Sequence, residues 1–288
     1  MNGILLVDKP AGWTSHDVVA KLRGILHERR IGHSGTLDPM ATGLLVAFVG
    51  RATRAVEFAE SDCKEYLAGL RLGITTDTQD ITGTVLSQSA PVDRQTAEAV
   101  FAQFRGGISQ VPPMYSAIKL DGQKLYTLAR RGKTVERKPR NITIHKLECI
   151  GEQDGDLLLD VQCSKGTYIR TLCHDIGAAL GCGGTLSSLR RIQAGVFSVA
   201  DALTLEQITE AANVGNVESL LLPVDQLFID VSALTVCPAQ EKRCRNGGTI
   251  QLDVPDGQYR IYSEAGEFLT LSAVKSGTAI QIKSFFEV

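Results

Sequence analysis

The chain has 288 residues, 43% hydrophobic and 22% charged, the make-up of an ordinary globular protein able to bury a substantial core. That length suits one large domain, or a large one with a small companion, and no apolar run reaches the roughly 18 residues of a membrane helix. A formal net charge of −2 argues against a nucleic-acid partner unless the positive charges are gathered in one place.

Met1-Asn2-Gly3-Ile4-Leu5-Leu6-Val7-Asp8-Lys9 carries no basic leader ahead of an apolar block, so the cytoplasm is the expected compartment. Residues 4–7 read as a short buried strand ending in the turn residues 8–12, with Lys9 and Pro10 among them. Ser15 is placed to cap a helix in which Val18, Val19, Leu22, Ile25 and Leu26 recur at helical spacing. Arg29-Arg30 then lead into Gly32-His33-Ser34-Gly35-Thr36-Leu37-Asp38-Pro39-Met40-Ala41-Thr42-Gly43-Leu44-Leu45. Glycines let backbone take positive φ or approach a ligand, and Pro39 disfavours helix at the residue before it. Asp38 is therefore expected on a stiff irregular loop held by the apolar residues 44–49. Aspartate before proline is ordinary turn chemistry, yet loops on rigid scaffolds are also where reactive groups gather.

Residues 64–73 alternate as a strand carrying Tyr66, and an aromatic there is ordinarily core. Residues 77–83 are polar turn material, and 93–104 are helical with Ala97, Val100, Phe101 and Phe104 on one face. From Lys119 to Arg140 eight Lys or Arg residues, including Lys124, Arg130 and Arg131, face two acids, Asp121 and Glu136. A like-charged run is usually a solvated face, but nearby tyrosines and prolines also suit RNA backbones and splayed bases. Residues 157–163 form a strand, 164–167 a turn, and Tyr168 opens a helix with Ile169, Leu172, Cys173, Ile176 and Leu180 as its apolar stripe and Gly181 as its stop. That leaves Tyr168 and Arg170 at a strand-to-helix junction off the core face, where a polar pair often only caps. Leu189 by itself is a core leucine. From about Cys237 short glycine-punctuated strands suggest a small all-β barrel. Seven cysteines without a Cys-x-x-Cys, and five scattered histidines, argue for reduced thiols and against zinc.

His33 to Leu45 resembles the signature of the TruB family, the bacterial tRNA pseudouridine-55 synthases, with Ser34 and Met40 where threonine and leucine are more usual. Residues 3–16, 64–73, 111–132, 166–172 and 189–197 resemble further motifs of that family, so the likeness covers almost the whole chain. It implies an α+β pseudouridine-synthase catalytic domain over residues 1–236, with a mixed, mainly antiparallel sheet, flanking helices and an RNA-gripping insertion near 105–145. A small PUA-like β-barrel module for RNA binding is implied over residues 237–288. By the same resemblance Asp38 is the catalytic residue and Arg170 its cationic partner. Tyr66 would stack on an extruded uracil, and His33 would wedge into the space it leaves. Tyr168 and Leu189 would complete the wall, Lys9 and Pro10 would buttress the floor, and Lys119, Lys124, Arg130 and Arg131 would grip RNA. The implied partner is the T-arm of tRNA, bound by a monomer without an obligatory protein partner, a membrane or a cofactor.

The chemistry asks for such residues. Pseudouridine forms when the bond from uracil N1 to ribose C1′ breaks, the base turns, and its C5 joins C1′. The product is an isomer, so neither metal nor redox cofactor is demanded. A carboxylate beside the sugar either attacks C1′ or withdraws the 2′-proton to give a glycal, and the sequence leaves both routes open. It must stay ionised in a closed pocket, where a guanidinium opposes the cost of desolvation. Flipping the base costs roughly a few kcal/mol, and stacking on an aromatic returns about 1–3 kcal/mol. Three other readings remain open: a guide-RNA-dependent synthase, a non-catalytic RNA-binding or tRNA-folding protein, and a sugar hydrolase, which would want a second, suitably spaced acid.

Overall fold

The computed structural model describes residues 1–59, 63–120 and 122–286; Asp121 of the basic run lies outside the described residues. The amino-terminal corner is β1 (Gly3–Lys9), α1 (Ser15–Leu26), the short β2 (Ile31–Ser34) and β3 (Thr42–Val49). Helix α1 is capped by Thr14 rather than Ser15: the Thr14 hydroxyl accepts from the Asp17 amide, and the Asp17 carboxylate accepts from the Thr14 amide. Ser15, one residue in, is turned instead toward Leu37, whose amide donates to its hydroxyl at 2.9 Å.

After β3 a 3₁₀ segment, Gly50–Ala59, precedes β4 (Lys64–Leu72). Then come a small hairpin of β5 (Ile74–Thr76) and β6 (Val85–Gln88), α2 (Arg94–Val100) and β7 (Gly106–Gln110). A two-stranded ribbon, β8 (Lys119–Leu120) with β9 (Gln123–Lys124), and the short α3 (Leu125–Ala129) stand between β7 and the long β10 (Arg140–Gln153). The rest of the main sheet is β11 (Asp156–Cys163), β12 (Gly184–Ala194) and β13 (Phe197–Ser198), with α4 (Ile169–Ala179) inserted between β11 and β12.

The sheet runs β1-β3-β12-β4-β11-β10-β7, with β2 also on β3 and β13 on β12. Among the described residues every pairing in it is antiparallel except that of β12 with β3, where Arg190 and Arg191 lie opposite Thr42 and Gly43. Strand β3 is covered on both faces, which is why residues 44–49 are apolar without alternation: Leu45, Ala47 and Val49 meet α1, while Leu44, Val46 and Phe48 meet the opposite cluster. On β11 the expected alternation holds, and Leu157, Leu159, Val161 and Cys163 join α4 in the largest core cluster.

Two expectations shift. Gly106–Gln110 pairs with β10 from Arg140 to Ile144, so the ends of the insertion expected near 105–145 belong to the main sheet, and the stretch between them carries the ribbon and α3. After α5 (Leu205–Asn213), β14 (Ser232–Val236) already belongs to a second sheet, upstream of Cys237. That sheet continues through α6 (Pro238–Arg245), β15 (Ile250–Gln251), β16 (Gly257–Ser263), β17 (Phe268–Lys275) and β18 (Thr278–Ser284), in the order β14-β16-β17-β18-β15. Phe228 joins it to the body, with ring centroids 5.5 Å from Phe58, 6.0 Å from Phe268 and 5.8 Å from Phe285. Among the described residues no helix is long and apolar enough to cross a membrane.

Candidate active site

Residues 35–41 cross irregularly from β2 to β3, in keeping with their glycine and with Pro39. His33 is not part of that loop. It sits on β2 opposite Ala47, because the segment before Gly35 finds a free edge of β3 to pair with. The loop is tied from below by Lys9, which is fully buried on β1. Its Nζ donates to the carbonyls of Trp13 (2.6 Å), Pro10 (2.9 Å) and Pro39 (3.3 Å). Burial brings the Lys9 pKa down to about 8, with the nearby Asp38 charge acting in the opposite sense. Pro10 itself is exposed and contributes only its carbonyl.

Asp38, on the loop between β2 and β3, meets Arg170 in the first turn of α4. Arg170 Nη2 donates to Oδ1 at 3.0 Å, and Nε lies 2.9 Å from Oδ2, although its N–H is not aimed along that line. The Asp38 side chain keeps 34% of its exposure, so the acid opens outward, whereas Arg170 is closed in at 4%. The junction position therefore does not leave Arg170 off the core, as its place in the apolar repeat suggested. It is buried in a polar lining: Nη1 donates to the Thr78 carbonyl at 3.0 Å, Nη2 donates to the Tyr115 carbonyl at 2.8 Å, and Asp80 Oδ2 stands 3.7 Å from Nη1. Desolvation raises the Asp38 pKa, the Arg170 charge pulls it back, the Asp80 charge adds to the rise, and Lys9 opposes it.

Tyr66 lies on β4 between Val161 of β11 and Arg191 of β12, and packs in one apolar cluster with Leu37, Ala41 and Leu189. Burial raises its pKa, and the Arg191 guanidinium opposes that rise. Tyr168 is the residue before α4; its amide donates to Gln110 Oε1 at 2.8 Å, and its carbonyl accepts from Gln110 Nε2 at 3.1 Å. Burial raises the Tyr168 pKa too, and the Asp38 charge reaches it. His33 is half-buried with Nδ1 unpartnered, and its pKa is lowered first by burial and then by the charges of Arg191 and His16. Thus Asp38, Arg170, Tyr66, Tyr168, Leu189 and Lys9 converge. Lys119, Lys124, Arg130 and Arg131 do not: the lysines stand on the ribbon and the arginines in the turn that follows α3, with Lys124 and Arg130 each over the Tyr126 ring at 5.4 and 5.6 Å.

Three residues of this lining are not singled out from the sequence. Asp80 lies in a run of Asp and Thr that reads as turn material, yet it is buried and accepts from the hydroxyls of Thr78 (2.9 Å) and Thr82 (2.6 Å). It is a second acid beside the pair, but it lies against Arg170 Nη1 with 8% of its side chain exposed. Gln110 gives no pattern at all. Arg191 does leave one trace, since strand alternation places it on the same buried face as Leu189. Among the described residues no group of three or more His, Cys, Asp or Glu is placed to hold a metal ion.

Residues 23–169 match the amino-terminal domain of the TruB family pseudouridylate synthases, and residues 170–229 match the carboxy-terminal domain of tRNA pseudouridylate synthase B. A protein of Syntrophotalea carbinolica named tRNA pseudouridine synthase B is 48% identical over 249 residues, covering 86% of this chain and 81% of that one. One of the same name from Clostridium kluyveri is 40% identical over 292 residues, 99% of this chain and all of that one. A crystal structure of a Cbf5-Nop10-Gar1 complex contains a chain that is 25% identical with a TM-score of 0.75, covering 99% of this chain and 85% of that one. With consecutive domain matches over most of its length and relatives 40% and 48% identical over most of both chains, the chain belongs to the TruB family of pseudouridylate synthases.

Proposed function

We propose that this chain isomerises uridine to pseudouridine in tRNA, at position 55 of the T-loop, with Asp38 acting at the ribose. The observation that carries this is the Asp38–Arg170 pair: one partly exposed carboxylate, its guanidinium partner buried and fixed by two backbone carbonyls. A guanidinium already committed to the Thr78 and Tyr115 carbonyls does not reorganise when charge develops at C1′. Asp38 ionised attacks C1′ or takes the 2′-proton, the bond to N1 breaks, and the freed uracil turns so that C5 bonds to C1′. As C5 bonds to C1′ the carboxylate is displaced from C1′ on the first route, or the 2′-proton is returned to the ribose on the second; the C5 proton then leaves to solvent and N1 gains one, which balances the isomerisation. Tyr66 and Leu189 form the flat wall for the base, Tyr168 closes its side, and His33 fills the space it vacates. Position 55 and the T-arm as the gripped element are parts of this reading, as is the division into a catalytic domain and a PUA-like module, the latter built on the second sheet that starts at Ser232 rather than at Cys237. The enzyme works as a cytoplasmic monomer, with its basic ribbon on the RNA.

tRNA tritiated at uracil C5 should release its label with the purified protein, and release no greater than from an Asp38→Asn control would refute the activity. The likeness to a chain crystallised with Nop10 and Gar1 gives a second reading, a synthase that needs guide RNA and protein partners. The higher identity to proteins named tRNA pseudouridine synthase B favours the first. Label release from free tRNA by the protein alone separates the two.

A further inference from the structure

Arg191 is among the largest fully buried side chains in the protein, and the reaction described above gives it no task. Its Nε donates to the Leu44 carbonyl at 2.7 Å and its Nη2 to the Gly35 carbonyl at 2.9 Å, so one guanidinium grips the first residue of the loop that carries Asp38 and the strand just beyond the loop's other end. Both hinge glycines rest on this residue. Gly35 has φ +70°, and a Cβ there would stand 3.1 Å from Arg191 Nη1. Gly43 has φ +95°, and a Cβ there would stand 2.3 Å from the Arg191 carbonyl oxygen and 2.9 Å from its amide nitrogen. On its other side Arg191 is paired with Tyr66 across β4.

Among the described residues no carboxylate lies within ion-pairing distance of this guanidinium. A buried cation without a counter-ion is expensive, and a strand that needed only filling would hold leucine or methionine there. What the charge does obtain is a set of directed contacts that no apolar side chain makes. Its field also lowers the pKa of Lys9 and of His33, though burial is the larger cause at each, and opposes the burial-driven rise at Tyr66.

We infer that Arg191 is a positioning residue for the reaction: it sets the distance between the Asp38 carboxylate and the Tyr66 ring by fixing the Asp38 loop, at its first residue and just beyond its other end, to the strand beside Tyr66. The inference rests on the proposed function, and it assigns Arg191 no contact with substrate.

The test compares wild type, Arg191→Lys and Arg191→Met by label release at saturating tRNA, by filter-binding Kd and by thermal midpoint. A lysine keeps the charge but reaches one carbonyl in place of two. Misplacement of a reacting group by about an ångström costs about 100-fold, so kcat should fall about that far in Arg191→Lys and further in Arg191→Met, with tRNA Kd within about threefold of wild type. Retention of kcat within about threefold, or a parallel fall of kcat, affinity and midpoint as a merely structural role would give, overturns the inference. Should neither variant fold, Gly35→Ala keeps Arg191 and crowds its Nη1: loss of kcat at unchanged Kd supports the inference, and unchanged kcat overturns it. Absence of release by wild type itself would reject the uridine isomerase reading, whereas an active wild type with an equally active Arg191→Lys would reject only the role of Arg191.

Discussion

Asp38 is subject to opposed influences, and their balance sets its pH behaviour. Burial and Asp80 raise its pKa above 3.8, while Arg170 and Lys9 pull the other way, and the net shift is upward. The ionised form is the active one, so the rate falls as pH drops through the raised value. A pH–rate profile of label release should place its acid limb above that of a free aspartate. Lys9 supplies an alkaline limb. It loses its proton near pH 8 in the folded protein, and with it go a cation beside Asp38 and the charge on the donor to Pro39. The rate should decline as pH rises through about 8, and Lys9→Met should lower the plateau and abolish that limb. Linkage distinguishes this from unfolding: the unfolded chain keeps the Lys9 proton up to about 10.5, so between 8 and 10.5 this group makes folding more favourable as pH rises. Arg170→Lys keeps the charge but loses the fork that meets Asp38 and two carbonyls, and kcat should drop by about 10²–10³-fold.

At the level of elements, loop and strand are joined by close backbone approach. Gly43→Ala would put a Cβ against the Arg191 carbonyl at a left-handed φ, so a loss of about 3 kcal/mol or more in urea unfolding is expected, enough to threaten folding. The basic ribbon is a separate case, since Lys119, Lys124, Arg130 and Arg131 stand on a small hairpin and in the turn after a five-residue helix held by the buried Leu125. Replacing the four with alanine should weaken tRNA binding more than chemistry. It should also reduce the slope of log K against log salt by about 0.7–0.9 for each phosphate left without its cation. A Kd indifferent to salt would remove the ribbon from the RNA interface.

For the whole molecule, the joint between the two sheets is aromatic. Phe228 is buried against Phe58, Phe268 and Phe285, with Lys283 paired to Glu57 and the Arg51 guanidinium donating to the Phe286 carbonyl beside it. Phe228→Ala should cost about 3–5 kcal/mol and uncouple the second sheet, giving two calorimetric transitions where wild type gives one.

How far each part could be read from the sequence follows from whether its signal is local. Helix α1, β11 and the stripe of α4 announce themselves by spacing, because each buries a periodic face. Helix α6 does not: Cys244 is its one buried residue, and Lys242, Arg243 and Arg245 fill its last turn. The Asp38 loop was legible from its glycines and proline, and its resemblance to a known signature added a role for the acid. That Arg170 is buried, that Asp80 stands against it, and that Arg191 holds the loop at its start and just past its end depend on strands distant in the chain meeting in register. Local composition determined which residues could bend, cap or alternate; only the sheet order decided which charges lost water together, because desolvation and pairing depend on distances that the chain acquires on folding.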